Sequence, residues 1–178
     1  MPYVAMLFLN AFVDLGHKIV IQNTVFKVYD GTTQSALIAV VNALILLPFI
    51  LLFSPAGFIA NRYPRPRVMQ LAAWAAVAVT LAITGCYAMG WFWAAFALTL
   101  VLAGKSAFYS PAKYGYIREI AGTDNIAAGN GIVQAATTVA ILSGMFVFSF
   151  LFERQLAAHG GASTQADMLR LMVPLGWL

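Results

Sequence analysis

The chain has few charged residues. Asp, Glu, Lys and Arg make up only 9% of its 178 residues, whereas 62% are hydrophobic. A soluble domain carries about a quarter charged residues, so this composition excludes an ordinary soluble protein and predicts an all-α membrane protein. The net charge of +4 is small and divided among loops, so we expect no nucleic-acid partner.

Cysteine and histidine are also scarce. Cys86 is the single cysteine, so no internal disulfide can form, and His17 and His159 are far apart. Without a Cys/His cluster we expect no metal site. The sequence has no phosphate-cradling glycine loop, paired-carboxylate site or nucleophile elbow, so we expect neither a cofactor nor an enzyme activity in these residues.

Long apolar runs are abundant, and a membrane-spanning helix needs about 20 such residues. Five runs are long enough, and a sixth stops after about ten residues. We therefore expect residues 1–178 to form one six-helix transmembrane bundle that is truncated within its sixth helix, as a fragment. The predicted spans are 4–25, 35–60, 68–89, 91–110 and 126–152, with a partial span at 168–178.

Basic residues in the loops predict the orientation. Five lie on one side of the predicted bundle and three on the other, and three of the five crowd into residues 61–67. Because cytoplasmic loops are enriched in Lys and Arg, the side with this cluster is predicted to be cytoplasmic, together with the N-terminus. The five are Arg62, Arg65, Arg67, Lys113 and Arg118, and the three are Lys27, Arg154 and Arg170.

Two charged residues, Asp14 and Lys18, interrupt the first span. An ionised side chain in the middle of a span costs about 2.5–3.5 kcal/mol. At i,i+4 spacing the two share a helix face and are expected to neutralise each other in part. Asn10 and either His17 or Gln22 extend this polar stripe, which must face protein or a water-filled cavity. The stripe predicts a transporter or channel interior; the alternative is a purely structural ion pair.

Further polar residues lie late in the fourth run and in the polar segment, residues 111–125, that is predicted to follow it after Ser110. Lys105 is either a cation in a cavity or a side chain that extends to the cytoplasmic interface. Lys113 and Tyr114 are either functional or interface anchors. Arg118 and Glu119 are interpreted as a solvated loop pair.

The fifth run carries polar and small residues. Asn130 and Gln134, one turn apart, either line a cavity or bond across helices. Gly129, Gly131 and Gly144 are interpreted as sites of close helix packing.

The segment after the second run, from Gly57 through Asn61 and Arg62 to Arg67, resembles the signature between the second and third helices of the major facilitator superfamily. Gly57 would allow close helix approach, and Arg62 matches the basic residue implicated in the cytoplasmic gate. Asn61 replaces the usual acid and cannot form the charge pair, and Pro64 stands where glycine is common. The alternative interpretation is a positively charged anchor on the cytoplasmic side.

Within that superfamily the chain resembles the lysophospholipid transporter family, especially the transporter part of bifunctional acyltransferase/acyl-carrier-protein synthetase fusions. The resemblance covers nearly the whole chain but only the N-terminal half of a family member. It rests on residues 8–14 with Lys18, and on residues 42–44, 47–49, 53–57 and 110–115.

The resemblance implies a transporter that moves lysophospholipid, such as lysophosphatidylethanolamine, across the bacterial inner membrane toward the cytoplasmic leaflet for reacylation. Lys18 would meet the phosphate of the substrate and Asp14 its ammonium. The implied partners are membrane lipid, a C-terminal transporter half and an acyltransferase/acyl-carrier-protein synthetase. The candidate substrate-binding or coupling residues are Asn10, Asp14, Lys18, Lys105, Lys113 and Tyr114, and the candidate gate residues are Gly57, Asn61 and Arg62.

Two alternatives remain at this stage. One is a proton- or sodium-coupled small-solute carrier or drug exporter of the same superfamily, in which Asp14 is the coupling group. The other is a membrane anchor or assembly part of a fused acyltransferase.

Overall fold

The regular structure of residues 2–178 is entirely helical. The structure, a computed structural model, describes these residues apart from the side chains of Pro2, Leu44 and Ile45, and no strand occurs among them. The helices in chain order are α1 (Pro2–Val28), α2 (Gly31–Arg62), α3 (Arg65–Met89), α4 (Phe92–Ala121), α5 (Ile126–Ala158), α6 (Gln165–Leu171) and α7 (Val173–Gly176).

Helices α1 to α5 are each long and apolar enough to cross a membrane. They range from 25 residues in α3 to 33 in α5, whereas a bilayer core of about 30 Å needs roughly 20. A helix satisfies its backbone hydrogen bonds internally, as a lipid environment requires. The prediction of an all-α, multi-pass membrane protein is therefore confirmed.

The helices pack around two apolar cores. Helix α4 contacts both α2 and α3, α1 lies along α5, and a smaller contact joins α1 to α4. One core contains Val20 of α1 and Leu102 of α4, and the other contains Leu7 of α1 and Tyr109 of α4. On both helices the segment between the cores carries polar residues. The bundle thus has a polar layer between two apolar layers.

Helix α4 is longer than its apolar run. The polar segment predicted after Ser110 is helical as far as Ala121, and Pro111 lies inside the helix. Proline is tolerated in spanning helices when neighbouring groups satisfy the backbone groups that it frees. Lys113 and Tyr114 therefore extend from a helix rather than from a loop.

The junction between α2 and α3 is shorter than the predicted loop. Only Tyr63 and Pro64 lie between the helices, because α2 continues through Arg62 and α3 begins at Arg65. Pro66 fits in the first turn of α3, where a helix needs no N–H donor.

The C-terminal apolar run forms two short helices instead of one continuous segment. Helix α6 ends at Leu171, and α7 begins at Val173. Pro174 has no N–H to donate to the carbonyl of Arg170, so the helical hydrogen-bond pattern is interrupted there. Helix α7 is joined to α3 by a hydrogen bond of 2.7 Å from Thr84 Oγ1 to Gly176 O.

The predicted packing glycines differ in their surroundings. A Cβ atom at Gly144 would lie 2.8 Å from the backbone oxygen of Phe12, so α1 and α5 approach closely there. A Cβ at Gly129 would collide with Ile117 of α4. A Cβ at Gly131 or Gly57 would meet no described atom within 4 Å. The expected close approach at these last two positions is therefore wrong within the described bundle.

Candidate functional site

The polar layer centres on Lys105 of α4. Its Nζ donates to Asn10 Oδ1 at 2.7 Å and to the two carboxylate oxygens of Asp14 at 3.0 and 3.2 Å. Asn10 and Asp14 are one turn apart on α1, so both side chains reach the same ammonium group. The neighbouring Ser106 donates a further hydrogen bond from Oγ to Asp14 Oδ2.

This group, Asn10, Asp14, Lys105 and Ser106, is here called the polar centre. The side chain of Lys105 is 5% exposed and that of Asp14 16%. Ionised groups within a span are costly unless paired, and here each charge has a partner of opposite sign. The polar centre therefore fastens α1 to α4 halfway along both helices.

The predicted pairing of Asp14 with Lys18 is wrong. The carboxylate of Asp14 is taken up by Lys105 and Ser106 on α4. Among the described residues Lys18 forms no ion pair or side-chain hydrogen bond. The physical reason is that α4 presents a cation and a hydroxyl directly opposite Asp14, whereas i,i+4 pairs on one helix contribute only about 0.2–0.5 kcal/mol.

Lys18 nevertheless lies within the polar stripe. It is half-buried and occupies the turn between Asp14 and Gln22. Gln22 donates from Nε2 to Asn42 Oδ1 of α2 at 3.2 Å. The stripe on α1 thus contacts α4 at one end and α2 at the other. Between these two contacts lies the ammonium group of Lys18, which has no described partner.

His17 lies on the side of α1 that contains Asn10 and Asp14, and it is buried against α3. It is 1% exposed, and its Nδ1 lies 3.2 Å from the hydroxyl of Tyr87 on α3. The imidazole of His17 therefore faces α3. Of the two predicted extensions of the stripe, Gln22 bonds to α2 and His17 lines the same cavity as Asn10 and Asp14.

The structure decides between the two interpretations of Lys105. Its ammonium group bonds to α1 instead of extending to the membrane interface. Sequence reasoning did not predict this pair, because the partners lie 91 residues apart. A usable signal was present, since Asp14 and Lys105 are opposite charges that both fall within predicted spans.

Lys113 and Tyr114 form a second cluster with α5. Lys113 is 8% exposed; its Nζ lies 3.4 Å from Thr137 Oγ1 and 4.7 Å from the ring centre of Tyr114. The hydroxyl of Tyr114 donates to Gln134 Oε1 at 3.0 Å. Lys113 is eight residues beyond Lys105, or about 12 Å along the helix, so this cluster is separate from the polar centre.

The candidate gate residues lie at the end of α2, away from the polar centre. Asn61 and Arg62 are exposed, and the guanidinium of Arg62 stands 5.9 Å from the ring centre of Phe58. The ion pair at this end of the bundle is instead Arg65 Nη1 to Glu119 Oε1 at 2.6 Å. The interpretation of Glu119 as the partner of Arg118 is therefore wrong.

Two cavities flank the polar centre. One, of about 420 Å³, lies between α1 and α3 and is lined by Asn10, Asp14 and His17. The other, of about 850 Å³, lies between α2 and α3 over α4, and the stem of Lys105 contributes to its floor. Within the described residues, no three His, Cys, Asp or Glu side chains are grouped as metal ligands.

Comparison with known proteins places this geometry in context. The chain is similar to the lysophospholipid transporter LplT of Photorhabdus laumondii, with 34% identity over 112 residues, which is 63% of this chain and 27% of the relative. The Serratia proteamaculans and Yersinia pestis transporters of the same name are each 34% identical, over 65% and 66% of this chain and 26% of their own length. No protein-family model and no solved structure matches the chain.

The chain thus aligns with about a quarter of the length of these curated relatives. Their names describe transporters, which supports the prediction that the chain is not an enzyme. The chain also has five helices that are long and apolar enough to cross a membrane, and its similarity to proteins named lysophospholipid transporter agrees with the resemblance that the motifs indicated.

Proposed function

We propose that this chain is the N-terminal bundle of a transporter that moves lysophospholipid across the bacterial inner membrane, toward the cytoplasmic leaflet for reacylation. The similarity to transporters of that name supports the substrate class. The observation that carries the proposal is the polar stripe on α1, where a paired charge and a charge with no described partner lie within one long apolar helix. Intramembrane charges mark substrate or ion pathways.

In this proposal Lys18 binds the phosphate of the substrate. A phosphate is the complementary partner for an ammonium group that has no described counter-ion, and the charge-assisted hydrogen bonds formed are about twice as strong as neutral ones. Asp14 already has Lys105 as its counter-ion. We therefore assign Asp14 to positioning α1 against α4, in place of its expected role with the head-group ammonium.

Lys113 and Tyr114 extend the proposed path along α4. Their contacts with Thr137 and Gln134 place a second ammonium and a phenol at the junction of α4 and α5. A substrate moving in one direction along this path would contact Lys18 first and Lys113 second. A substrate moving in the other direction would contact them in the reverse order. Rocking of one bundle against the other around such sites is the general means of alternating access.

The proposed orientation has the N-terminus and the Arg62–Arg67 end in the cytoplasm. The structure groups these arginines with Arg118 at one end of the helices, and Lys27 with Glu153 at the other. The excess of Lys and Arg at the first end supports the assignment. In a Cys86→Ala background, a cysteine at position 67 should resist an impermeant reagent in intact cells, and a cysteine at position 161 should react. Labelling of position 67 but not of position 161 would indicate the opposite orientation.

The experiment for the function is uptake of labelled lysophosphatidylethanolamine by vesicles that contain the intact protein. Lys18→Gln should reduce uptake at least tenfold, because it removes the proposed phosphate ligand, a loss of about 1.4 kcal/mol or more. Lys27→Gln is the matched control, since it is on the same helix and pairs with Glu153 outside the polar centre. It should retain uptake close to that of the wild type.

Three outcomes would count against the proposal. Equal uptake by the two variants would remove Lys18 from the site. No lysophospholipid uptake by the wild type, with proton- or sodium-driven movement of a small solute that Asp14→Asn abolishes, would favour the solute carrier. No transport at all, with a bound acyltransferase that is lost on removal of the bundle, would favour the membrane anchor.

A further inference from the structure

The larger cavity lies on the side of α4 away from α1. It is here called the lateral groove, and it runs between Pro48–Ile59 of α2, with Tyr63 just beyond the end of that helix, and Arg67–Ala75 of α3, with Leu100–Phe108 of α4 as its floor. Helices α2 and α3 have little contact with each other, although both pack on α4. The groove therefore lies in a gap between two helices that both pack on α4.

The groove has the dimensions of an acyl chain within one leaflet. Its volume of about 850 Å³ falls within the range of about 300–1,000 Å³ that is typical of ligand sites. From Pro48 of α2 to Tyr63, just beyond the end of that helix, the groove extends over 15 residues, or about 22 Å at 1.5 Å per residue. Half of a bilayer that includes its head-group regions is about 20–22 Å, so a groove of this length would extend from the head groups to the middle of the membrane.

Charge is confined to the interfacial end of the groove. Arg67 lies there beside Tyr63, and among the described residues its guanidinium forms no ion pair, because Glu119 is bound to Arg65. The other cation, Lys105, contributes only its stem, since its ammonium faces Asn10 and Asp14. None of the described lining residues is acidic, so the groove offers no counter-ion for a positively charged head group.

We propose that the lateral groove binds an anionic glycerophospholipid of the surrounding bilayer, with its phosphate on Arg67 and Tyr63 and one acyl chain along α4. Basic pockets between spanning helices on the cytoplasmic side are a recurring means of binding anionic head groups. This lipid is a resident of the protein and differs from the proposed substrate, whose phosphate is assigned to Lys18 on α1.

Two pairs of variants of the intact protein test the head-group end and the acyl end separately. Arg67→Gln removes the proposed phosphate ligand, and Arg62→Gln is its matched control, because Arg62 has the same charge, lies in the same turn region and does not line the groove. Gly104→Leu fills the floor. Gly104→Ala is its control, since a Cβ there meets Leu52 and Pro48 only at 3.7 and 3.9 Å, an ordinary contact distance.

The measurement is native mass spectrometry of the detergent-purified protein titrated with phosphatidylglycerol, phosphatidylethanolamine or lysophosphatidylethanolamine. The wild type should bind one phosphatidylglycerol in preference to phosphatidylethanolamine. Arg67→Gln should lower that affinity about fivefold, and Arg62→Gln should leave it unchanged. Gly104→Leu should abolish the bound lipid, and Gly104→Ala should keep it.

Other results would overturn the inference. Equal phosphatidylglycerol binding by Arg67→Gln and Arg62→Gln would remove the head-group site, and this comparison stands even if Gly104→Leu fails to fold. Retention of the lipid by a folded Gly104→Leu would remove the acyl site. Displacement of phosphatidylglycerol by lysophosphatidylethanolamine in the wild type would make the groove a substrate site. None of these readouts requires transport, so they are independent of the uptake experiment.

Discussion

Two ion pairs fasten α4 to other helices, and they differ in burial more than in geometry. Lys105 of α4 meets Asp14 of α1 at 3.0 Å, with side chains 5% and 16% exposed. Glu119 of α4 meets Arg65 of α3 at 2.6 Å, with side chains 46% and 29% exposed. The shorter pair is the weaker one, because water and salt compete for exposed charges. An N–O distance alone therefore does not rank the two pairs.

The difference in burial also gives the two ion pairs different roles. Removing one partner of a buried pair leaves an unpaired charge in a low-dielectric surrounding, which costs about 3–5 kcal/mol. An exposed pair contributes less than about 1 kcal/mol. The Asp14–Lys105 pair lies between the two apolar cores, where Asn10 and Ser106 give it further hydrogen bonds but no second counter-ion. It is thus the contact on which the relative position of α1 and α4 depends.

The largest effect is expected from breaking the buried pair. Lys105→Met should destabilise the intact protein by about 3–5 kcal/mol, because the carboxylate of Asp14 is left unpaired. The double variant Asp14→Asn with Lys105→Met should be milder than Lys105→Met alone, since the two residues are coupled. Thermal unfolding in detergent, monitored by size-exclusion chromatography, measures the stability of both variants.

Lys18 provides the control for this coupling. Asp14→Asn and Lys18→Gln should have additive effects on stability, because Asp14 pairs with Lys105 and not with Lys18. If the double variant of Asp14 and Lys18 regained the stability lost in the single variants, Asp14 would be paired with Lys18, four residues along α1, and not with Lys105.

An intermediate effect is expected from Ser106→Ala. This change removes one hydrogen bond to a charged acceptor, which contributes about 1.5–3 kcal/mol, and leaves the ion pair in place. Ser143→Ala is the matched control, because Ser143 bonds only to carbonyls of its own helix, Val139 and Ala140. If the same unfolding measurement gave equal losses for both variants, Ser106 would have no special role at the polar centre.

The smallest effect is expected from Glu119→Gln. It should destabilise by less than about 1 kcal/mol, and the difference from the wild type should vanish at about 1 M salt, where the Debye length is about 3 Å. Glu153→Gln, which breaks the exposed pair with Lys27 at 2.8 Å, should behave in the same way. A loss at Glu119 as large as that at Lys105, and insensitive to salt, would contradict the ranking by burial.

The fold was largely predictable from the sequence, because hydrophobic length decides which segments can span a bilayer. The residues at which the helices end were less predictable. Hydropathy ends the fourth span near Ser110, yet α4 continues through Pro111 to Ala121. Polarity marks where a helix leaves the apolar layer, and it does not mark where the helix stops.

The site was predictable in its members but not in its pairing. Asp14 and Lys105 were both candidates, because a charge within a span is costly and therefore indicates a functional site or an ion pair. Their contact joins residues 91 positions apart and depends on how α1 and α4 are rotated against each other. The nearest cation along the chain, Lys18, was the obvious partner, and only the packing of α4 shows that Asp14 is already paired. Glu119 and Arg65, 54 positions apart, escaped prediction for the same reason.

The central claim is that pairing of Asp14 with Lys105 leaves Lys18 free to bind a phosphate. The most direct test compares the affinity of the purified intact protein for lysophosphatidylethanolamine with that for monoacylglycerol, which has the acyl chain but no phosphate. The wild type should prefer the lysophospholipid by about tenfold or more, equivalent to about 1.4 kcal/mol, and Lys18→Gln should lose that preference while Lys27→Gln keeps it. A Lys18→Gln protein that still prefers the phosphate-bearing lipid by the wild-type margin would contradict the account.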